Sequence, residues 1–112
     1  MGRKKVLLKG IAASPGKVKG RVRILLSPED NSRLKKGEIL VAKETTPEYT
    51  SAIFRAVAIV TDFGGLLSHP AIIARELGIP GVVGTMKATK ILKNGMGVIV
   101  DGKKGTIFQE TS

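Results

Sequence analysis

The only histidine of the chain, His69, is the residue whose surroundings best suit covalent chemistry. Pro70 follows it, and proline favours the first turn of a helix, so we expect His69 at or next to the N-cap. N–H groups in a first helical turn have no intrahelical acceptors and, with the helix dipole, attract anions. A neutral imidazole is also a nucleophile toward phosphorus. Two interpretations follow: a histidine that takes up a phosphoryl group, or a structural histidine at a helix start.

Candidate phosphate-binding groups lie on both sides of His69. Two adjacent glycines precede it, and glycine lets the backbone approach a ligand closely and turn N–H groups toward it. The Ser68 hydroxyl is expected to donate a hydrogen bond to a phosphoryl oxygen. Because Pro70 lacks an N–H, the next two amides are expected to serve as donors instead. The predicted phosphate-binding residues are Gly64, Gly65, Ser68, Ala71 and Ile72.

Arg75 has the side chain best suited to a phosphate, but its position argues against direct contact. It follows His69 by six residues and therefore lies about 240° around the helix from the histidine. We expect Arg75 to face a neighbouring segment or a docking partner.

Residue content excludes several other kinds of site. The chain has no cysteine, so it offers no disulfide, thiolate nucleophile or zinc–cysteine site. It also lacks the Gly-x-x-x-x-Gly-Lys-Ser/Thr motif of phosphate-binding loops, and no cluster of carboxylates predicts a metal site.

The net charge of +10 has two interpretations. One is attraction to an anionic partner, such as nucleic acid, nucleotide phosphates or an acidic protein surface. The other is a solvated basic surface that keeps a small domain soluble. The basic residues are dispersed and no aromatic residues interleave with them, so nucleic acid is not expected to be the main partner.

No segment of the sequence predicts membrane insertion or export. The longest apolar runs, such as Val57–Val60, are far too short to span a bilayer. The basic start Met1–Lys5 is not followed by a long apolar segment with a small-residue cleavage site. We therefore expect a cytoplasmic protein with no membrane partner, folded as one domain over residues 1–112.

The hydrophobic pattern predicts alternating strands and helices. Apolar residues at 18, 22 and 24 alternate with basic ones, as in a strand with one buried face. The apolar runs 38–42 and 57–61 are typical of central strands, and a helix between them implies parallel pairing. The other predicted elements are strands at 81–84, 98–100 and 106–108, the last two forming a hairpin across 101–105, and helices at about 70–77, ended by Gly78, and near 88–93.

The helix between the two central strands has two predicted starts. Either Thr45 caps it in a capping box closed by Glu48, or Thr46 caps it and Pro47 takes the first helical position. Four apolar residues then share one helical face: Tyr49, Ala52, Ile53 and Ala56. Residues 27–32 have the composition of a turn.

The string from Gly64 to Gly84 resembles a family signature. Gly-Gly-x-x-Ser-His-x-Ala-Ile-Ile-Ala-Arg-Glu-Leu-Gly-Ile-Pro-Gly-Val-Val-Gly is closely similar to that of the phosphohistidine domain of phosphoenolpyruvate (PEP)-utilising enzymes. That family includes phosphoenolpyruvate synthase, pyruvate phosphate dikinase and the phosphotransferase-system enzyme I. Further matches extend the resemblance over most of the chain: Gly10–Gly16, Gly20–Val22, Gly37–Ala42, Thr45 and Pro47, Ala88 and Thr89 with Leu92 and Gly95, and Val100–Gly102 with Gly105.

The resemblance implies both a fold and a function. The fold would be a swivelling β/β/α domain of the α/β class, with a parallel-core sheet, added antiparallel strands and two to three short helices. His69 matches the transiently phosphorylated histidine, and Gly64, Gly65 and Ser68 match the loop around it. Thr45 and Arg75 are candidates for supporting roles.

The resemblance also implies partners and cofactors. In the family, an ATP-grasp domain delivers phosphate from ATP, or a barrel domain delivers it from PEP, and the mobile domain carries it between their sites. We therefore expect ATP with Mg²⁺, or PEP, on separate ATP-grasp-like or barrel-like domains or chains, and no cofactor bound by this chain. The chain is not expected to turn over a substrate alone.

Two residues depart from the family pattern. Leu67 stands where dikinases and synthases commonly have threonine, and Pro70 replaces the usual alanine. Regulation by phosphorylation of that threonine is therefore unavailable. Leucine at this position is also similar to some antibiotic-phosphorylating relatives, so the acceptor need not be pyruvate. Two alternatives to a phosphocarrier stay open: a binding or regulatory module that keeps the fold without phosphotransfer, and a basic nucleic-acid-binding domain.

Overall fold

The computed structural model describes residues 5–110 of the chain. They form eight strands: β1 (Lys5–Lys9), β2 (Ile11–Ser14), β3 (Lys17–Ile24), β4 (Ile39–Ala42), β5 (Ala58–Thr61), β6 (Gly81–Val83), β7 (Gly97–Asp101) and β8 (Thr106–Gln109). The helices are α1 (Thr50–Ile53), α2 (His69–Leu77) and α3 (Ala88–Ile91), with 3₁₀ turns at Pro28–Arg33 and Pro47–Tyr49.

The long strand β3 joins two sheets. Its first part, residues 17–21, pairs antiparallel with β7, which continues through β8 to β1. Its last part, residues 22–24, pairs parallel with β4, which continues in parallel through β5 to β6. β2 closes the second sheet as an antiparallel edge. The strand order is therefore β1-β8-β7-β3-β4-β5-β6-β2.

The parallel strands are buried on both faces, and this produces three layers. On one face of β4, Ile39 and Val41 pack against residues of the antiparallel sheet such as Val98 and Val100. On the other face, Leu40 packs with Ala52 and Ile53 of α1 and with Ala74 of α2. This alternation follows from the period of two in a strand, and burial of both faces explains why β4 is apolar throughout and β5 is apolar up to Thr61, whose hydroxyl donates to the Phe63 carbonyl. The result is a β/β/α arrangement.

The predicted fold class is confirmed, including parallel pairing of β4 with β5 and the hairpin between β7 and β8. Two strands were not predicted. β1 is a sheet edge whose adjacent Leu7 and Leu8 do not alternate with polar residues. β2 is the opposite edge and has small residues with little strand propensity.

Two local predictions are corrected. The segment 27–32 was predicted as a turn, but Pro28–Arg33 form a 3₁₀ helix, and its N-cap Ser27 accepts through Oγ from the Glu29 N–H. The expected helix after Pro47 is a 3₁₀ turn followed by a single α turn. Thr46 is at the N-cap with no side-chain hydrogen bond, so the capping box of Thr45 and Glu48 does not form. The predicted apolar face is buried all the same.

Gly102 carries a testable requirement of the fold. A Cβ at this position would overlap the carbonyl oxygen of Ser14 and lie 3.0 Å from the Gly81 nitrogen. We expect Gly102→Ala to lower the free energy of unfolding by about 3 kcal/mol or more, since both neighbours are backbone atoms. Gly97→Ala is the control, because its nearest contact would be the flexible Glu110 side chain at 3.5 Å. Urea unfolding midpoints that are equal for the two variants would contradict this account of the packing.

Candidate functional site

The site around His69 lies where the parallel strands end. β4 leads into Thr45, β5 into the segment Asp62–Leu67, and β6 into Gly84 and Thr85. Carboxyl ends of parallel strands meet at one edge of a sheet, and loops there commonly bind ligands. α2 begins at His69 itself, with Ser68 as its N-cap. Three separate loops therefore surround the start of one helix.

His69 is held by one hydrogen bond from the β4 side. Its Nδ1 lies 3.0 Å from Oγ1 of Thr45, whose residue surface is only 4% exposed. When Nδ1 carries the ring proton and donates it to Thr45 Oγ1, Nε2 keeps its lone pair. As a residue, His69 is half-buried. Thr45 thus supports the histidine through Nδ1 rather than through a capping box.

The loop before His69 is closed by its own polar groups. Ser68 donates to the Gly65 carbonyl twice, from its backbone N at 3.1 Å and from its Oγ at 2.7 Å. The predicted donation from Ser68 to a phosphoryl oxygen would therefore require its single hydroxyl proton to turn away from Gly65. Gly64 has φ of +123°, in the region that favours glycine. Its carbonyl oxygen lies against Gly84, where a Cβ would approach it to 2.9 Å.

The free amides in the first turn of α2 are not the pair that the sequence predicted. The Ile72 N–H donates to the Ser68 carbonyl at 3.0 Å, so this predicted phosphate donor is already engaged. Pro70 has no N–H. The N–H groups of His69 and Ala71 have no hydrogen-bond acceptor among residues 5–110. Of the two helix amides that the sequence predicted as donors, only that of Ala71 remains free.

Arg75 contacts neighbouring segments, as its helical angle predicted. Its Nη1 donates to the Ala13 carbonyl in β2 at 2.9 Å, and its Nη2 donates to the Leu66 carbonyl at 2.6 Å. Within the described part of the chain, no carboxylate lies within ion-pair distance of Arg75. The guanidinium therefore links α2, the edge strand and the loop before His69.

Sequence reasoning missed Asp62, which begins the segment between β5 and His69. The residue is 4% exposed, and its carboxylate accepts from Thr89 N at 2.9 Å and from Thr89 Oγ1 at 2.6 Å. The Asp62 carbonyl accepts from Met86 N at 2.8 Å. These bonds tie the end of β5 to the start of α3. An acidic residue directly after a buried strand was the available signal, because a buried carboxylate needs hydrogen-bond partners.

Six apolar side chains are exposed in β2, in the first turn of α2 and in the segments that follow β5 and β6. Leu67 is 85% exposed, and the others are between 39% and 66% exposed. We call this group the apolar rim; it comprises Ile11, Phe63, Leu66, Leu67, Ile72 and Met86. Exposed apolar groups clustered on one surface are typical of binding sites.

Neither metal ligands nor membrane spans are found in the described chain. Residues 5–110 contain no group of three or more histidine, aspartate or glutamate side chains placed to hold a metal ion. In the same residues no helix has the length and apolar character needed to cross a bilayer.

The bond between Thr45 and His69 predicts a measurable change of tautomer. Thr45→Val keeps the shape of the side chain and removes the Nδ1 partner, so the proton should redistribute between the two ring nitrogens. Long-range ¹H–¹⁵N NMR of the single histidine would measure this, with Thr45→Ser as the control that keeps the hydroxyl. Under the interpretation of His69 as a phosphoryl acceptor, phosphorylation should slow about tenfold in the valine variant, as for other partners that orient a functional imidazole. Equal tautomer ratios in both variants would contradict the role of this bond.

Comparison with known proteins begins with a family model. The PEP-utilising enzyme mobile domain matches residues 34–105. A probable phosphoenolpyruvate synthase of Archaeoglobus fulgidus is 52% identical over 105 residues, which cover 94% of this chain and 14% of that protein. The phosphoenolpyruvate synthase of Pyrococcus furiosus is 52% identical over 104 residues, covering 93% of this chain and 13% of the relative. The chain thus spans about one seventh of the length of these curated relatives.

Solved structures agree on the fold. The solution structure of an Enzyme I protein has a TM-score of 0.63 and 36% identity, over 74% of this chain and 34% of the other. Aconitase X of Thermococcus kodakaraensis has a TM-score of 0.65 over 98% of this chain and 100% of the other. At 22% identity, that second likeness concerns the fold alone.

Proposed function

We propose that this chain, which belongs to the family of PEP-utilising enzyme mobile domains, carries a phosphoryl group on Nε2 of His69. The observation that supports the proposal most is the hydrogen bond between His69 Nδ1 and the buried Thr45 hydroxyl. In the tautomer in which Nδ1 donates its proton to Thr45 Oγ1, Nε2 is the nitrogen with a lone pair available for attack. The family match over residues 34–105, which include His69, supports a phosphoryl group as the group transferred.

The transfer step exchanges one bond to phosphorus for another. The Nε2 lone pair forms a bond to phosphorus while the bond from phosphorus to the donor oxygen breaks, and its electron pair leaves with the donor. The Nδ1 proton stays on the ring and is held by Thr45 Oγ1, which stabilises the positive charge that develops on the imidazole. In the second half, an acceptor oxygen attacks phosphorus and Nε2 recovers its electron pair.

The donor and acceptor sites lie on partner domains or chains in this proposal. The curated relatives are about seven times longer than the matched segment, which leaves room in them for such domains. ATP with Mg²⁺, or PEP, would bind there, and this chain would supply only the carrier histidine. The apolar rim would pack against each partner site in turn and exclude water, which protects the labile phosphoramidate bond from hydrolysis.

Labelling of the purified chain tests the proposal. The chain is incubated in lysate of its source organism with either ATP or PEP carrying a labelled transferable phosphoryl group, and is recovered at alkaline pH. Phosphohistidine is labile to acid, so we expect one acid-labile phosphoryl group per chain, located at His69 by mass spectrometry. The donor that labels the chain identifies the phosphate source.

A complete family member added to the same lysate is the positive control. If that protein is labelled and this chain is not, the proposal is wrong and the chain is a binding or regulatory module. Label that is stable in acid would indicate a serine or threonine phosphate and would also overturn the proposal.

A further inference from the structure

We propose that Arg75 is a positioning residue that holds the loop before His69 in the orientation needed to receive a phosphoryl group. The inference rests on the proposed phosphoryl transfer at His69 and adds a requirement for it. Arg75 does not act on phosphorus in this proposal. It acts through the main chain of residues 64–67, which we call the approach loop.

Three consecutive carbonyl groups of the approach loop are turned inward. That of Gly64 lies against Gly84, and that of Gly65 accepts twice from Ser68. The third, that of Leu66, accepts from Arg75 Nη2 at 2.6 Å. The first two contacts are made by Gly84, which follows β6, and by Ser68, which directly follows the approach loop. Only the third depends on a side chain of α2.

The inward carbonyls fix the direction of the amides. A trans peptide points its C=O and its N–H in opposite directions, and the described residues contain no cis peptide. The N–H groups of Gly65, Leu66 and Leu67 therefore point away from the groups that bind the preceding carbonyls. None of the three has a hydrogen-bond acceptor among residues 5–110. Successive N–H groups in such a loop are available to oxygen atoms of an anion.

Arg75 is anchored so that it can hold this orientation. Its second nitrogen, Nη1, donates to Ala13 at 2.9 Å, and Ala13 is 4% exposed in β2, which pairs with β6. The planar guanidinium thus joins the loop to a fixed strand of the sheet with two bonds in one plane. A lysine has three donors on one atom and no rigid fork, so it cannot reproduce both bonds with the same geometry.

The position of Arg75 argues against direct contact with the phosphoryl group. Both nitrogens seen in these bonds are directed at carbonyl oxygens. The residue also lies about 240° around α2 from His69. Removal of the guanidinium should consequently free the Leu66 carbonyl and let the 66–67 peptide rotate, while His69 keeps its bond to Thr45.

Two reagents separate this effect from general damage to the site. Phosphoramidate phosphorylates histidine without a partner protein: Nε2 bonds to phosphorus, the P–N bond of the reagent breaks, and its nitrogen leaves as ammonia. Diethyl pyrocarbonate modifies the same imidazole nitrogen but presents no phosphate oxygens to the loop. Because His69 is the only histidine, its carbethoxylation can be followed by ultraviolet absorbance on the whole chain.

We expect Arg75→Ala to slow phosphorylation by phosphoramidate about 10- to 100-fold, the cost typical of a small misplacement of groups around a reacting atom. Carbethoxylation should proceed at the wild-type rate. Arg75→Lys keeps the charge and most of the side-chain stem, and its phosphorylation rate should lie between those of the alanine variant and the wild type.

Three outcomes would overturn the inference. The first is phosphorylation of the alanine variant at the wild-type rate. The second is equal slowing with both reagents, which would make Arg75 merely structural, and the third is a lysine variant as fast as the wild type, which would show that charge alone suffices. If Arg75→Ala does not fold, the lysine variant decides by the same ratio of rates. A wild-type chain that neither phosphoramidate nor lysate phosphorylates would instead refute the proposed function.

Discussion

His69→Ala is expected to abolish acid-labile labelling of the chain completely, because no other residue of the chain is a histidine. The loss should occur with either donor and in any lysate that labels the wild type. Serine and threonine hydroxyls near the site do not substitute, since they lack a basic lone pair of comparable nucleophilicity at neutral pH. Labelling is measured per mole of chain after recovery at alkaline pH.

The same variant should keep its fold. His69 is only half-buried, and α2 retains its ordered start through the Ser68 N-cap, Pro70 and the Gly78 C-cap with φ of +71°. The single side-chain bond lost is that to Thr45, worth about 1 kcal/mol. Thermal unfolding and circular dichroism of His69→Ala and wild type should therefore be similar. A labelled alanine variant, or one that is unfolded, would remove the support for His69 as the carrier.

Much of the fold could be predicted because local pattern and tertiary structure agree. The uninterrupted apolar runs of β4 and β5 require burial on both faces, and in the structure they lie between the second sheet and the helices. The end of α2 was predicted from Gly78, which adopts the left-handed conformation that glycine favours. In these elements the residues that determine the structure are close in sequence.

The parts that could not be predicted depend on residues far apart in the chain. Thr45 and His69 are 24 positions apart, and Asp62 and Thr89 are 27 apart. The bond from Arg75 to Ala13 spans 62 positions, and it involves an edge strand that the sequence did not indicate. The helical angle predicted the direction of the Arg75 side chain but not the carbonyl groups that accept its hydrogen bonds. Likewise, the engagement of the Ile72 amide follows from the position of Ser68 as N-cap.

The two glycines before His69 should differ in how strongly they resist substitution, although the sequence presents them as one motif. Gly64 has φ of +123°, and a Cβ there would lie 2.8 Å from Ser68 Oγ. Gly65 does not have a positive φ, and a Cβ there would meet no heavy atom within 4 Å. The first position therefore requires glycine for the backbone of the loop, and the second does not.

We expect Gly64→Ala to slow labelling of His69 by at least about tenfold, since the alanine both strains the backbone and displaces the hydroxyl that closes the loop. Gly65→Ala, the matched control, should unfold at the wild-type temperature and lose far less labelling. Rates with phosphoramidate and with lysate are measured on both variants. If Gly65→Ala were instead the slower variant, glycine would be required at position 65 so that the phosphoryl donor can approach. The inward-turned carbonyls would then not determine the conformation of the loop. If both variants reacted at the wild-type rate, the geometry of residues 64–67 would be irrelevant to transfer, because the histidine alone would then suffice.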